Sequence, residues 1–221
     1  MNKIALKLDS KNKIKSINDR YLIYAGICWL IYLILFFSLK HFIVPQFFVY
    51  SWIDGYIPFI KWFFIPYCLW YVYMFAVLIY FNRVSLIDFV RLQSYIFIGF
   101  GICLIVYAIY PNAISFRPNI LKTDPITSLM SAMYSIDSST MVTPSMHVFS
   151  TTAIHISLAK CKKTRSNKAL ITSSLILAIL ICSSTVFVKQ HSVIDVFWGL
   201  ALAFILYIPI YRHKKAKPVY L

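Results

Sequence analysis

The chain has 221 residues, of which 60% are hydrophobic and only 13% are charged. Soluble domains are about 45–50% apolar and about 25% charged, so this composition excludes a water-soluble globule. The net charge of +15 comes from basic residues outside the apolar segments, which indicates membrane topology rather than nucleic-acid binding. The sequence therefore predicts an integral membrane protein.

Six apolar segments follow one another along the chain, each close to the length of about 20 residues that crosses a bilayer. We predict an all-α bundle of six transmembrane helices, at residues 21–39, 62–81, 93–110, 143–160, 169–188 and 192–211. The fourth segment is the most polar, and its His147, Thr151 and His155 recur every four residues on one helix face. Such a face is expected to point into a bundle or a wet cavity.

Basic residues set the predicted orientation of the membrane domain at residues 21–211. Six spans place both termini on one side, and that side holds seventeen Lys and Arg residues against five on the other. By the positive-inside rule both termini are cytoplasmic, including the basic tail at residues 212–221. The basic segment at residues 1–20 is expected to lie along an anionic lipid surface. The first span is expected to be retained, because no small-x-small cleavage site follows it.

The longest polar connection runs from Pro111 to Val142 on the outer side, with a short helix expected around Ile126–Tyr134. Loops of this length are uncommon unless they are functional. We expect this loop and the one at residues 40–60 to set specificity.

Two polar clusters near the outer ends of the spans fit the binding of an anion. Arg117 lies in the long connection, and a guanidinium group suits forked hydrogen bonding to phosphate oxygens. Thr143 and Pro144 predict a helix start, with Thr as N-cap and Pro at the first helical position. The free N–H groups that follow, with the Ser145 hydroxyl, would form an anion site next to His147.

A third cluster fits nucleophilic chemistry. His191 and Asp195 are four residues apart, so on one helix they face the same way. A carboxylate at this spacing can accept the Nδ1–H of the ring, which leaves Nε2 free as a base or nucleophile. Lys189 adds a cation near the membrane boundary. The same residues also fit structural roles: a polar pair that stabilises packing, and a lysine that snorkels to headgroups.

The motif order resembles the type 2 phosphatidic acid phosphatase superfamily, in its membrane lipid-phosphatase branch, over about residues 90–205. The resemblance rests on three motifs, which are Arg117-Pro118, Pro144-Ser145-x-His147 and Ser184-x6-His191-x3-Asp195. The resemblance implies that His191 is a nucleophile forming a phosphohistidine, that Asp195 orients it and that His147 protonates the leaving alkoxide. It also implies that Arg117 and the backbone near Ser145 hold the phosphate, and that no metal ion or other cofactor is needed.

Three positions depart from the family pattern. Tyr110 stands where the family has a Lys, Met146 where a Gly is usual, and Thr185 where an Arg follows the Ser. We expect Lys189 to replace one of the missing phosphate cations, with Lys122 as a more remote candidate. A Lys supplies charge without the planar fork of an Arg.

These features predict an enzyme of the plasma membrane that hydrolyses a phosphate monoester or diphosphate of a lipid at the extracytoplasmic face. One alternative is a lipid phosphotransferase of the same superfamily, similar to inositol phosphorylceramide synthase, in which an alcohol replaces water. Another is a non-catalytic membrane protein whose intramembrane His and Asp relay protons or pack. The complete lack of Glu and the abundance of Lys, Ile, Tyr and Phe are typical of a low-GC bacterial gene. The particular lipid and the oligomeric state are left open.

Overall fold

The computed structural model describes the backbone of residues 3–212 and the side chains of residues 16–211, and this part is nearly all helical. In chain order the helices are α1 (Lys3–Phe42), α2 (Trp52–Tyr56), α3 (Phe64–Val84), α4 (Leu86–Ile109), α5 (Pro125–Ile136), α6 (Met146–Lys160), α7 (Lys168–Phe187) and α8 (Val193–Tyr207). A 3₁₀ turn at Lys61–Phe63 leads into α3, and a π turn at Ile208–Arg212 follows α8. The predicted helical class is confirmed. The side chains of residues 1–15 and the tail from residue 213 lie outside the described residues.

Five helical stretches in the described part are long and apolar enough to cross a membrane. They correspond to five of the predicted spans, and their bounds are Ser16–Phe42, Lys61–Val84, Leu86–Ile109, Lys168–Phe187 and Val193–Tyr211. The remaining predicted span corresponds to α6, which has 15 residues. At about 1.5 Å per residue α6 is about 22 Å long, shorter than a typical hydrocarbon core of about 30 Å.

Helix α6 lies inside the bundle, where it packs against α3, α4, α7 and α8. Its polar face points inward, as the sequence predicts: Thr151 is fully buried and His147 is 9% exposed. His155 places Nδ1 2.9 Å from the Ser174 hydroxyl of α7. Trp70 of α3 donates its indole N–H to the Ser150 hydroxyl at 2.8 Å. These contacts explain how a helix this polar is accommodated in an apolar bundle.

A glycine allows α8 to approach the start of α6 closely. A Cβ at Gly199 would lie 2.7 Å from the carbonyl oxygen of Ser145 and 3.0 Å from Cβ of Val148, so no larger residue fits without movement. The backbone N–H of Ser145 donates to the carbonyl of Asp195 at 3.1 Å. The two segments that carry the histidine motifs are therefore joined through the main chain.

The two long loops are joined by a small parallel sheet that the sequence analysis did not predict. Strands β1 (Phe47–Phe48) and β2 (Asn112–Ala113) pair in the register Phe47↔Asn112 and Phe48↔Ala113. Ala113 also bridges to Thr140. The short helix expected within the second loop is present as α5, which begins after the N-cap Asp124. The loops thus form one connected cap at the end of the bundle.

The predicted start of α6 is wrong. The N-cap is Ser145, whose hydroxyl accepts from the N–H of Val148 at 3.4 Å, and Pro144 precedes the helix. Thr143 does not cap, because its polar groups have other partners. Its N–H donates to Oδ1 of Asn112 at 2.9 Å, its carbonyl accepts from Nδ2 of Asn112 at 3.1 Å, and its hydroxyl donates to Asp195. Tertiary contacts here override the local capping signal.

Candidate active site

Two histidines, one in the first turn of α6 and one in the turn before α8, face each other at the capped end of the bundle. The ring centroids of His147 and His191 are 6.0 Å apart, with an angle of 62° between the ring planes. His147 also packs on Tyr67 and Trp70 of α3, with centroid distances of 4.5 and 4.1 Å. Its Nε2 is buried and has no hydrogen-bond partner among the described residues. The aromatic contacts fix the ring and leave one nitrogen free.

His191 contacts a buried carboxylate. Its Nδ1 lies 3.3 Å from Oδ2 of Asp195, which is completely buried. That oxygen also accepts from the N–H of Ser192 at 2.8 Å, and the Thr143 hydroxyl donates to the other oxygen. The spacing predicted this contact but not its setting, because α8 begins at Val193 and His191 lies in the preceding turn. An Nδ1–H that donates to Asp195 leaves Nε2 of His191 unprotonated.

A second carboxylate, Asp54, supports this turn, and the sequence analysis missed it. Asp54 is buried and accepts from the Ser192 hydroxyl at 2.6 Å and from the N–H of Val193 at 2.9 Å. It also accepts from the N–H of Ser51 at 2.8 Å. A negative charge at the N-terminus of α8 is favourable to the helix dipole. The Ser51-x-x-Asp54 spacing signals a local capping box, but nothing local signals the contact with α8.

Lys189 holds the loop before the site rather than lining the space between the histidines. Its Nζ donates to the carbonyls of Asp54 at 2.8 Å and Ile57 at 2.5 Å. Its φ of 51° lies in the left-handed region, which non-glycine residues adopt only when their contacts enforce it. Burial lowers the pKa of Lys189, while Asp54 acts in the opposite direction. The ammonium group therefore ties the α2 loop to the turn that carries His191.

Arg117 also reaches the His191 turn through neighbouring groups. Its Nη1 donates to the carbonyls of Asp137 at 2.8 Å and Tyr134 at 3.3 Å, and its Nη2 donates to Oε1 of Gln190. The guanidinium lies 4.2 Å from the centroid of the Tyr134 ring. Burial lowers the pKa of Arg117. A cation on these carbonyls caps the C-terminus of α5, and its bond to Gln190 places it one residue from His191.

The two remaining residues predicted to contact phosphate, Ser145 and Lys122, lie apart from each other. Ser145 is completely buried as the N-cap of α6. Lys122 is exposed in the long loop.

The three departures from the family pattern have structural contacts. Tyr110 stacks on Phe47 at 4.4 Å, and Met146 accepts a hydrogen bond from the Tyr32 hydroxyl at 2.8 Å. The carbonyl of Thr185 accepts from the N–H groups of Gln190 at 2.9 Å and His191 at 3.0 Å. Thr185 thus helps to close the His191 turn through its backbone, whichever side chain it carries.

The two histidines line a cavity of about 350 Å³. Its other walls are mainly apolar and aromatic side chains of α1, α3 and α4, among them Trp29, Leu33, Phe37, Tyr71, Phe75 and Phe100. Four of these residues are 43–51% exposed, so the cavity opens at the surface between α1 and α3; they are Leu33, Phe37, Tyr71 and Phe75. Along α1 the wall extends from Lys40 to Trp29, about 16 Å at 1.5 Å per residue. A long apolar group can therefore reach the histidines from the side of the bundle.

An ion pair that the sequence analysis did not anticipate also lines this cavity. Nζ of Lys40, in the last turn of α1, lies 2.8 Å from Oδ1 of Asp137, the residue that ends α5. The other oxygen of Asp137 accepts from the Tyr67 hydroxyl at 3.2 Å. Arg117, Ser145 and Lys189 are not among the described residues that line the cavity. Among residues 16–211, no group of three or more His, Cys or Asp side chains is arranged to hold a metal ion.

A bundle of membrane-length helices, with a His–Asp pair facing a second His beside an apolar cavity, fits a membrane protein of the phosphatase type. The family model of the PAP2 superfamily matches residues 94–217, more than half of the chain. The chain therefore belongs to the PAP2 superfamily, which confirms the resemblance seen in its motifs. No curated protein and no solved structure matches it. The matched segment begins within α4 and contains both histidines, whereas α1 to α3 lie outside it.

Proposed function

We propose that this protein is an integral membrane lipid phosphatase, which hydrolyses a phosphate monoester or diphosphate of a lipid through a phosphohistidine intermediate. The observation that carries the proposal is the placement of His147 and His191 on one apolar cavity that opens at the side of the bundle. A soluble phosphate ester would not need an apolar wall about 16 Å long. A lipid chain in that wall would bring its headgroup to the two rings.

In the first step, Nε2 of His191 attacks the phosphorus atom and forms a P–N bond, while the bond to the lipid oxygen breaks. Asp195 accepts the Nδ1–H of the ring and stabilises the positive charge that develops on it. His147 donates a proton from Nε2 to the leaving alkoxide, which departs as the lipid alcohol. The same nitrogen of His147 is then free to accept a proton.

In the second step, water attacks the phosphohistidine and gives its proton to His147. The P–N bond breaks, inorganic phosphate leaves and His191 regains its free Nε2. The atoms and protons balance over the two steps, with water as the only co-substrate. No step requires a metal ion or another cofactor.

Phosphate binding is assigned to the first N–H groups of α6, which follow Ser145, and to the positive charge around the His191 turn. Helix N-termini bind anions through free N–H groups and the helix dipole. Arg117 and Lys189 supply charge beside this turn, and they also hold it through their bonds to Gln190, Asp54 and Ile57. Their contribution is expected through the position and electrostatic potential of the turn.

The proposed topology has six spans, cytoplasmic termini and a site at the outer face of the plasma membrane. In its support, Lys40, Lys61, Arg117 and Lys189 contact the loops of the cap. At the opposite end of the bundle, Arg83 pairs with Asp19. Of the basic residues predicted to be cytoplasmic that the structure describes, Arg83 lies in the last turn of α3, Lys163 in the connection between α6 and α7, and Lys168 at the start of α7, all away from the cap. Helix α6, though short, would complete the sixth crossing with the cap above it.

The proposal is tested with purified protein and a panel of lipid phosphates and diphosphates, by measuring inorganic phosphate. Wild type is expected to release phosphate from at least one of them, and His191→Ala to lose this activity. His155→Ala is the matched control. His155 lies on the same face of α6 as His147, but its ring contacts Ser174 and does not line the cavity. No release from any lipid, or full activity in His191→Ala, would contradict the proposal. Mass analysis with alcohols present separates hydrolysis from transfer to an alcohol.

A further inference from the structure

The geometry points to Lys40 as the phosphate-binding cation of this site, and to Asp137 as a carboxylate that occupies the phosphate position until substrate displaces it. This inference rests on the proposed phosphatase function and adds two residues to it. Neither residue belongs to the three motifs, and Lys40 lies outside the segment matched by the family model.

Lys40 is a cation on the wall of the cavity that the two histidines line. Its side chain is 11% exposed, and it lines the same cavity as His147 and His191. Of the Lys and Arg residues with described side chains, it alone lines that cavity. Arg117 and Lys189 already donate to loop carbonyls. Lys40 is therefore the cation with direct access to the reacting group.

The Asp137 carboxylate lies where we expect a phosphate oxyanion to bind, beside the Lys40 ammonium group and the Tyr67 hydroxyl. Its oxygens accept from Nζ of Lys40 at 2.8 Å and from the hydroxyl of Tyr67 at 3.2 Å. Tyr67 is the residue that stacks on His147. Two donors from different helices thus converge on one carboxylate next to the proton donor. The same donors suit two oxygens of a phosphate group.

The charge on Asp137 fits this reading. Burial raises its pKa, but the charge of the Lys40 ammonium group and its hydrogen bond to Asp137 act in the opposite direction, and the net pKa lies below its usual value. Asp137 is therefore an anion at neutral pH. Its side chain is still 37% exposed, so it can move when another anion arrives.

A phosphate and the Asp137 carboxylate cannot share Lys40 without repulsion. Two like charges a few ångströms apart repel, and the repulsion grows as the local dielectric constant falls. Substrate binding must therefore separate Asp137 from Lys40. The cost of that separation selects for a headgroup with enough negative charge to replace the carboxylate, namely a terminal phosphate or diphosphate rather than a neutral ester.

The chain provides a matched control in a second ion pair. Lys61 and Asp124 also join a span end to the long loop, with Nζ 2.5 Å from Oδ2. Neither residue lines the cavity of the two histidines. Lys61→Met removes the same type of ion pair without removing a cation from the proposed phosphate position.

The test measures the binding of inorganic vanadate to the full-length protein in detergent, together with KM and kcat for a short-chain phosphatidate or another lipid phosphate that the wild type hydrolyses. The variants are Lys40→Met, Lys40→Arg, Asp137→Asn, the double variant Lys40→Met/Asp137→Asn, and Lys61→Met. Methionine keeps the apolar stem of the lysine and removes the ammonium group, with its charge and its hydrogen-bond donors. His191→Ala reports separately on the proposed reaction.

Lys40→Met is expected to weaken vanadate binding and to raise KM by about tenfold or more, since a charge-assisted contact is lost. Lys40→Arg should keep most of the affinity, and Lys61→Met all of it. Asp137→Asn should bind vanadate severalfold more tightly than wild type, because it no longer competes. The double variant should bind at least about tenfold more weakly than Asp137→Asn, because the cycle isolates the contact of Lys40 with the anion.

The inference is overturned if the double variant binds vanadate as tightly as Asp137→Asn, because Lys40 would then only neutralise Asp137. It is also overturned if Asp137→Asn binds vanadate no more tightly than wild type. This comparison does not depend on whether Lys40→Met folds. If the wild type hydrolyses a lipid phosphate and His191→Ala does not, while the Asp137 and Lys40 variants give either of these vanadate results, only the inference about Lys40 and Asp137 is refuted. A wild-type protein that neither binds vanadate nor releases phosphate refutes the proposed function itself.

Discussion

The backbone N–H of Ser145 donates a hydrogen bond to the carbonyl of Asp195, with 3.1 Å between the two atoms. This bond joins the start of α6 to the first turn of α8, between the two segments that carry the histidines. The relative position of His147 and His191 is therefore set by main-chain contact. Side chains such as Thr143 and Asp54 then fix the orientation of the His191 turn.

The first prediction concerns the close approach of these two helices. Gly199→Ala places a methyl group 2.7 Å from a backbone oxygen that cannot yield, so we expect a loss of about 1–3 kcal/mol in stability and a large fall in kcat. Gly101→Ala is the control, because a Cβ there meets nothing within 4 Å. It should be neutral or stabilising by up to about 1 kcal/mol. Thermal unfolding in detergent and phosphate release measure both effects, and equal behaviour of the two variants would argue against a fixed helix contact.

The second prediction separates the role of His147 from that of His191. His147→Gln should lower kcat for an alkyl lipid phosphate by about 10²–10⁴-fold, because the poor leaving group needs a proton. With p-nitrophenyl phosphate, whose leaving group needs none, the variant should still release a burst of p-nitrophenol. Stopped-flow absorbance measures the burst. If the rate of the first step fell by the same factor with both substrates, His147 would not be the proton donor.

The third prediction concerns Asp54, which holds the N-terminus of α8. Asp54→Asn removes the charge and turns an amide NH₂ toward the backbone N–H of either Val193 or Ser51, so that a backbone donor is left unpaired. We expect a loss of about 1–3 kcal/mol in stability together with reduced kcat. Asp88→Asn changes a similar carboxylate in the first turn of α4 at the other end of the bundle, where Asp88 accepts from the hydroxyl of the N-cap Ser85. Its kcat should equal that of the wild type, and a matching fall in both variants would contradict a specific role for Asp54.

The fourth prediction concerns pH. The net pKa of Asp137 lies below that of an unfolded Asp, about 3.9: burial raises it, and the Lys40 ammonium group lowers it through its charge and its hydrogen bond. A group with a depressed folded pKa stabilises the protein above the unfolded pKa, and this contribution is lost as pH falls through the folded value. The melting temperature of the wild type minus that of Asp137→Asn should therefore be constant from pH 7 to about 5. It should decrease below about pH 4, where the wild type loses this contribution. A difference that stays constant down to pH 3 would contradict the ion pair.

Features encoded by local patterns could be predicted from the sequence. Long apolar segments predicted the membrane-length helices, and the short helix expected around Ile126–Tyr134 is present as α5. The four-residue spacing of His191 and Asp195 predicted their contact, although His191 precedes the helix. In each case the signal lies within a few residues, and the packing of the bundle agrees with it.

Features that depend on contacts between distant segments could not be predicted. Asp54 lies 138 residues from Ser192, and Lys40 lies 97 residues from Asp137. No periodicity links such positions. The start of α6 was misplaced for the same reason, since Asn112 and Asp195 bind the groups of Thr143 that local capping rules would have used. The cavity is likewise formed by several distant segments together, namely α1, α3, α4, the start of α6, the chain after α5 and the His191 turn, and no single segment indicates its presence.

The central claim is that His191 carries the phosphoryl group, and the most direct measurement is to locate that group after a trapped first step. His147→Gln is mixed with p-nitrophenyl phosphate and denatured in base, and the phosphorylated peptide is identified by mass spectrometry. The phosphoryl group should be on His191, because the variant completes the first step but lacks the base for water attack. A phosphoryl group on any other residue, or wild-type phosphate release by His191→Ala, would contradict the claim.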